Sequence, residues 1–511
     1  MIKLTPWTAA GSVVAVTAAV LTIGALPGDS ILRQIVAAVA ALLVIALVVA
    51  PGGKSAIDRF TRRRRFAKPS RRASLLYSTL RVGTVWDGQS VSMFVALRPL
   101  PFQVTTVGLN ETGIESRALP VDLLRDHLTQ ADVTLESIRV LGSGFRAYGE
   151  SPYANAYAGI VGETAIPNTM ETVVELRVNL AKSYQSVLAR ATDGSVPAGV
   201  GKAAHIVSAR LERQLNIAGF EAKLLKPNEI RKFHDSVLAP MNDGFKDEKW
   251  THLGGPVATV TADPTEWSEL AVERWLDVPA DRMAHVLEIS ADRHQQTTVG
   301  MTVAYSYAQA AKLPTRSLRL RSNDGAHGDH ATALLPLAQT VASPAPSLTL
   351  RDGVEFPVQL PAFGLGVYLG PSLDRSGRVF LNVETGGEVL WLETPESFVH
   401  QLAARITTTG ARVGVFVDTA EWKDLAQRVL GLRVNPTSPV DVAIYQGQPP
   451  TRVPASTAVL VWAPNGAPRT ATHRITADDS GDMTAVSRTA RAVFAWEAPA
   501  AELPFVASLS G

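Results

Sequence analysis

Cysteine is absent from all 511 residues. That excludes disulfides, thiolate nucleophiles, zinc–thiolate sites and iron–sulfur ligation, and a reducing compartment poses the chain no difficulty. Catalytic signatures are also missing: there is no nucleophile elbow and no pair of carboxylates in a glycosidase-like setting. Lysine is scarce beside arginine, 12 against 37, a bias associated with high-GC bacterial genomes. The positive charge that exists is not spread out. Residues 1–72 hold 11 Lys or Arg against 2 Asp or Glu, whereas residues 73–511 hold 38 against 45. The bulk of the chain is therefore net negative by 7, which argues against a broad nucleic-acid-binding surface.

Several near-motifs fail on chemistry. Gly194 to Lys202 reads G-S-V-P-A-G-V-G-K, but a phosphate loop places four residues before its Gly-Lys pair and a hydroxyl after it. Here six intervene and Ala203 follows. Gly364, Gly366 and Gly370 approach a dinucleotide fingerprint, yet the third glycine is one residue late and no helical pattern follows, so strand-edge glycines are the expectation. Asp324, His327, Asp329 and His330 lie within seven residues and are metal-like in type, but their polar stretch offers no groups to orient the ligands. Asp478, Asp479 and Asp482 lack the spacing of a calcium loop and read as a solvated turn. His205 is a scattered histidine on an amphipathic helix. No catalytic, cofactor-binding or metal residue is assigned, and no cofactor is expected.

What is present begins at the N-terminus. Two apolar runs, Pro6 to Leu26 and Ile31 to Ala50, are separated by the turn Pro27-Gly28-Asp29-Ser30. Each approaches the roughly 20 residues needed to cross a hydrocarbon core, so residues 1–50 read as a transmembrane helical hairpin. A cleaved signal peptide would carry a basic leader and a cleavage site; only Lys3 precedes the first run, and a second run follows at once. Gly11, Ala15 and Ala19 share one face at i, i+4 spacing and would let a neighbouring helix approach closely.

Residues 51–72 form a basic junction with Lys54, Arg59, Arg62, Arg63, Arg64, Arg65, Lys68, Arg71 and Arg72 against Asp58 alone. Cationic flanks stay in the cytoplasm, so both termini are expected there in a two-pass inner-membrane protein. Arg59, Arg62, Arg63, Arg64, Arg65, Lys68, Arg71 and Arg72 would touch anionic lipid headgroups, each contributing about 1 kcal/mol.

The rest alternates strand and helix patterns. Residues 73–321 read as a first α/β domain. It starts with a hairpin around Asp87-Gly88, followed by strands at Ser137–Leu141 and Glu171–Leu180. Helices follow at Lys202–Ala218 and Pro227–Val237, and a helix capped by Asp263 leads to strands at His285–Ile289 and Thr298–Tyr307. Residues 322–357, rich in Gly, Asp, Ser and Pro, read as a linker. Residues 358–511 read as a second α/β region: a hairpin from Arg378–Val383 to Glu388–Leu392, then a β-α-β-α-β order that implies a parallel sheet. The fold class is thus mixed α/β cytosolic domains attached to an N-terminal two-helix transmembrane hairpin.

The arrangement resembles a known family. The two-span start, the Arg62–Arg65 run and Val82-Gly83-Thr84-Val85-Trp86-Asp87-Gly88 are similar to EccE, a component of the mycobacterial type VII (ESX) secretion system. So are Leu128-Thr129-Gln130-Ala131-Asp132-Val133 with Leu135-Glu136-Ser137-Ile138-Arg139-Val140, and Thr172-Val173-Val174-Glu175-Leu176-Arg177-Val178-Asn179-Leu180. The resemblance covers roughly the first 240 residues. It implies a cell-membrane subunit without catalysis, placed at the edge of a protein-transport complex beside EccD, with EccB and the ATPase EccC, six such units closing a ring. The α/β class taken alone also admits a membrane-tethered enzyme or a nucleotide- or sugar-binding domain, which would need a deep pocket of convergent polar groups with perturbed pKa values.

Deleting residues 1–50 is expected to release the protein from the membrane fraction, leaving at most a salt-sensitive attachment through the basic junction. Sedimentation of membranes washed at low and high salt measures this; retention at high salt would contradict a hairpin anchor.

Overall fold

The computed structural model describes residues 74–77, most of 82–335 and nearly all of 347–507, with a helix over Ile31–Val48 and isolated helical positions between 16 and 23. The expected packing residues Gly11, Ala15 and Ala19 and the basic residues Arg59, Arg62, Arg63, Arg64, Arg65, Lys68, Arg71 and Arg72 lie outside the described residues. The second apolar run is helical over 18 residues, about 27 Å at 1.5 Å per residue, a little short of a hydrocarbon core. No described helix is long and apolar enough to cross a membrane, so the two-span hairpin is not confirmed.

Beyond the N-terminus the molecule is mixed α/β, built on two large sheets. The first has twelve strands, and its central path runs Ser90–Arg98, Thr169–Asn179, Val133–Phe145, Arg282–Ala291, Thr297–Tyr307, Ala258–Pro264, with every pair antiparallel. Two units of like topology meet at its centre. In each, a strand, a short helix and two further strands follow in sequence, and the last strand inserts between the other two. The first unit uses the helix Val121–Asp126 and the second the helix Glu269–Leu276. They join where Val133–Phe145 pairs with Arg282–Ala291, from Arg282 opposite Phe145 to Ser290 opposite Ser137.

Both faces of this sheet are covered, which explains why its strands are apolar almost without interruption. On one face the helix Val196–Ile217 presents Val200, Ala204, Val207, Leu211 and Leu215, all buried. It begins close against the helix Tyr184–Arg190: a Cβ on Gly199 would come within 2.2 Å of the Val187 carbonyl oxygen. The other face is covered by the helix Pro227–Leu238, through Ile230, Phe233 and Val237, and by Ala331, Leu334 and Leu335. Within residues 322–357, the helix His327–Thr332 lies against the strand Ala258–Pro264 and the strand Ser347–Leu350 pairs with Thr297–Tyr307.

The second sheet has eight strands. Leu432–Val434, Val413–Val415, Val442–Gln446, Ala458–Trp462, Val389–Glu393 and His473–Ala477 are parallel, and an antiparallel meander to Arg491–Ala495 closes one side. The parallel order expected from the β-α-β-α-β pattern is present. The expected hairpin between Arg378–Val383 and Glu388–Leu392 is not. Gly377–Leu381 pairs instead with Val367–Pro371 and with Val104–Gly108 of the first lobe, while Val389–Glu393 enters the parallel sheet. Three glycine- and threonine-rich turn residues look alike whether the chain doubles back or changes layer.

Asp263 also departs from expectation. It lies in a strand, and the helix after it starts at Glu269, with Ser268 Oγ accepting from the Ala271 N–H at 3.3 Å. The capping pattern was real in kind but one strand end too early, because Thr265 N is already bonded to the Arg319 carbonyl.

The lobes are clasped by a buried network on the C-terminal segment. Arg405, on the helix Glu396–Thr407, donates from Nε and Nη2 to the two oxygens of Glu502 at 2.8 and 2.7 Å. Gln401 and Tyr153 donate to the same carboxylate, each at 2.7 Å. Tyr153 belongs to the first lobe's helix Pro152–Val161, and Arg405 Nη1 reaches the Tyr368 and Leu369 carbonyls at 3.0 and 2.9 Å. Burial by itself would raise the Glu502 carboxyl, but the hydrogen bonds and charge of Arg405 hold it below its ordinary value.

Removing one partner of a buried pair strands the other, so Glu502→Ala is expected to cost about 3–5 kcal/mol. The double change Arg405→Met with Glu502→Leu should cost less than that single change. Urea denaturation of the three proteins measures both; equal losses would mean that the pair is solvated.

Candidate functional site

A concavity lies where the two lobes meet. It is a cleft of about 540 Å³. Its first-lobe wall is made by Ala96–Arg98 at the end of one central strand, Thr169–Val173 at the start of the neighbouring one, and Lys223, Glu229, Lys232 and Phe233 around the helix Pro227–Leu238. The second lobe contributes Val383, Glu384, Thr409–Ala411, Asp441 and Ser456. Strand alternation places Thr169, Glu171 and Val173 on one face of their strand, the face covered by Phe233.

Part of the charge in this cleft is spent locally, while Arg98, Glu171, Lys232 and Glu384 also line it. Lys223 Nζ donates to Glu229 Oε1 at 2.8 Å, and the Lys226 N–H to Oε2 at 2.8 Å. Burial would raise the Glu229 carboxyl, but these bonds hold it below its ordinary value. Arg412 clamps Asp441 through Nε and Nη2 at 2.9 and 3.0 Å, which lowers that carboxyl.

Glu384 is different. Its Oε1 is buried with no hydrogen-bond partner. Burial, reinforced by the charge of Glu171 and opposed by Arg98, pushes its carboxyl up to about 8. The side chain therefore holds a proton at neutral pH. Thr169 Oγ1, in the same wall, is also buried and unpaired.

The residues singled out by motif do different work. Val196–Lys202 is helix rather than a phosphate-cradling loop, and Gly199 is there for helix packing. Gly364, Gly366 and Gly370 flank or enter the strand Val367–Pro371; Cβ atoms there would meet the Asn168, Leu381 and Ala495 carbonyl oxygens at 2.3–2.4 Å, as strand-edge glycines do. Asp478 organises the turn to Asp482, accepting from the Ser480 and Asp482 N–H groups, both at 2.9 Å.

His327 and His330 do not converge on one point. His327 is buried, with the Thr261 N–H donating to its Nδ1 at 3.1 Å. His330 Nδ1 lies 3.4 Å from Asp263 Oδ1, which also accepts from Thr302 at 2.7 Å and Asn323 at 3.1 Å. The histidines thus bond a covered sheet to its lid. Asp324 lies outside the described residues, as does the side chain of Asp329. Among the described residues no group of three or more His, Asp or Glu side chains could hold a metal.

Glu384 was not singled out by sequence, because it adjoins Thr385-Gly386-Gly387, which reads as the turn of a hairpin. The signal was absent: burial comes from the opposite lobe.

Residues 166–262 match a family described as "Putative type VII ESX secretion system translocon, EccE". The resemblance read from the sequence is borne out over that segment, which links the chain to the components of a type VII secretion system. No curated protein matches the chain.

The raised Glu384 carboxyl has a signed consequence. Unfolded, the group ionises near 4.3; folded, it keeps its proton to about 8. The folded state binds more protons in between, so stability falls as pH rises across that window and levels off above it. Glu384→Gln is expected to be more stable than the parent at pH 8, by a few kcal/mol in order of magnitude, and equal to it near pH 4. Denaturation midpoints at the two pH values measure this, and an unchanged pH slope would show the carboxyl to be solvated.

Proposed function

We propose that the chain is a non-catalytic structural and assembly subunit of a type VII (ESX) secretion membrane complex. The observation that carries this reading is the family match over residues 166–262. That segment forms a central strand of the first sheet, the helices covering both of its faces and one wall of the cleft. No histidine lines the cleft among the described residues, and Glu229 and Asp441 in its wall are each held by a cation rather than set beside a reactive group.

In this reading the N-terminal hairpin holds the protein in the bacterial inner membrane, with both termini in the cytoplasm. The helix Ile31–Val48 supports it, since Ile31, Ile35, Val39 and Leu42 recur at 3–4 residue spacing and stand 51–77% exposed. Uncovered apolar side chains in a row need a lipid or helical neighbour. The basic junction, Arg59 to Arg72, would lie on anionic headgroups. EccD is the expected membrane neighbour and EccB and EccC the further components of the complex, with Gly11, Ala15 and Ala19 as the close-packing face.

Replacing Gly11 and Ala15 with leucine is expected to reduce co-purification of the other components from detergent-solubilised membranes by several-fold, while the protein stays in the membrane. Undiminished co-purification would discard this face as the contact.

A further inference from the structure

The second sheet is covered unequally. A parallel sheet ordinarily has helices on both faces, but the helices Glu396–Thr407, Ala420–Arg428 and Leu503–Val506 all pack on one, the side of Val413, Val415, Ile444 and Leu460. Alternate residues of the same strands point the other way. Phe416 follows the edge of one strand, its N–H donating to the Ile444 carbonyl at 2.8 Å, and stands beside Tyr445; Tyr445 lies opposite Val461, and Val461 opposite Trp391. The result is an aromatic and aliphatic row across four strands.

A loop turns this row into a pocket. The chain after Leu432–Val434 folds back over the face so closely that a Cβ on Gly414 would meet side-chain carbons of Pro436 and Val440 at 2.8 and 2.9 Å. Between that loop, Pro454 and the sheet lies a cavity of about 280 Å³. Ala443 and Val459, 3% and 0% exposed, are its floor. Phe416 and Tyr445 are its half-buried wall, with ring planes 6° apart and centroids 4.7 Å apart. No charged side chain is among its described lining residues. Arg433 stands at the rim: it lies opposite Gly414 on the same face, exposed, with Nη1 3.5 Å from Oγ of Ser438 in the lining. Arg474, opposite Trp391, and Arg491 share this face farther along, both exposed. None of the three arginines has an ion-pair partner among the described residues. The nearby acids are placed differently. Asp418 is held by Lys423 at 2.6 Å and Asp441 by Arg412 at 2.9 Å, while Glu393 and Asp482 lie beyond the row, at the carboxyl end of the parallel strands.

We infer that this cavity seats an aromatic side chain of a partner polypeptide, whose neighbouring carboxylates pair with Arg433 at the rim and with Arg474 across the sheet. The volume lies below the range of about 300–1,000 Å³ that encloses whole small-molecule ligands. It suits one anchor side chain, the kind of residue that carries most of the energy of a protein interface. A partner ring extends the Phe416–Tyr445 stack, and three unpaired cations on one face favour acidic neighbours. The net negative charge of the body disfavours a nucleic acid. This inference requires a partner polypeptide and not a secretion complex, so its failure would leave the assembly reading standing.

Fluorine NMR titration with the full-length protein in detergent tests it. The probe is the peptide acetyl-Glu-Glu-(4-fluoro-Phe)-Glu-Glu amide, and its resonance is expected to broaden as protein is added. The same peptide with lysine in place of its glutamates, and acetyl-4-fluoro-Phe amide alone, should each bind about tenfold more weakly or worse. Arg433→Glu should weaken the acidic peptide by about tenfold or more; because the side chain is exposed and outside the core, the denaturation midpoint should stay unchanged, which separates lost docking from lost folding. Tyr445→Ala should weaken both the acidic peptide and the isolated amino-acid amide. Absence of broadening, or an acidic peptide that Arg433→Glu binds as well as the parent does, would overturn the inference. Equal binding of the amino-acid amide would make the cavity a small-molecule site, and stronger displacement of the probe by oligothymidylate than by unlabelled peptide would make it a nucleic-acid site. Dimerisation of the parent protein that Tyr445→Ala abolishes would put a second copy of the chain there; each of these three results also overturns the inference.

Discussion

Desolvation is the constraint from which most of the architecture follows. A sheet covered on both faces gives the polar side chains of its central strands no access to water, and each must find a partner inside the protein or lose its hydration uncompensated. Glu175, fully buried, is met by Ser92 Oγ at 2.6 Å and by Arg139 Nη1 at 2.5 Å, and Arg139 turns its other nitrogen to the Ala333 carbonyl. The segment that covers the sheet is thereby tied to the charges it covers. Asp263 with Thr302, Asn323 and His330 repeats the solution in the second unit. Arg405 and Glu502 apply it between the lobes. Such pairs add little stability over an apolar replacement, but they admit few alternatives in register.

Glu384 stands against this background as a buried carboxyl whose Oε1 has no partner within the described structure. It sits at the seam between lobes, where a strand of the first lobe, Val104–Gly108, pairs with Gly377–Leu381 of the second, and where the chain leaves one sheet for the other. Its environment is made by both lobes, so relative movement of the lobes would change it directly. In the first-lobe wall of the cleft, Thr169–Val173 and Lys223–Phe233 fall inside the segment that matches the family, and Ala96–Arg98 falls outside it. The second-lobe wall, which includes Glu384, falls outside it. The segment similar to EccE therefore carries part of the cleft, and the rest is supplied by Ala96–Arg98 and the C-terminal lobe.

Much of the element map was legible from periodicity. Leu176 and Val178 of the expected strand reappear on one buried face and Val173 on the other, and the helical spacing Val207, Leu211, Leu215 reappears as a buried face. The turn at Asp479–Asp482 and the parallel strands from Val413 to Trp462 follow local patterns of the same kind. The errors cluster where local signals serve two geometries. A Gly-rich turn at 385–387 fits a hairpin or a crossing between layers, and only the partner strand decides. Asp-Pro-Thr-Glu at 263–266 fits a helix start, but the Arg319 carbonyl captures Thr265 first. The G-x-G-K resemblance at 199–202 dissolves into helix packing once Gly199 is seen against Val187.

Composition and patterning by themselves determined that this is a cysteine-free, mixed α/β chain with an acidic body, an apolar N-terminus and a basic junction, and they pointed to the EccE resemblance. These are properties of single residues and short windows, where hydropathy, charge and turn chemistry act over a few positions. The pairing of two like units into one antiparallel sheet, the clasp of Glu502 on Arg405 and Tyr153, and the burial of Glu384 were decided only by tertiary structure. Each joins residues about 100 or more apart in sequence, as in Tyr153 with Glu502, or depends on a neighbour from another lobe. Burial is what gives those residues their properties, and burial is set by whatever the rest of the chain places against them.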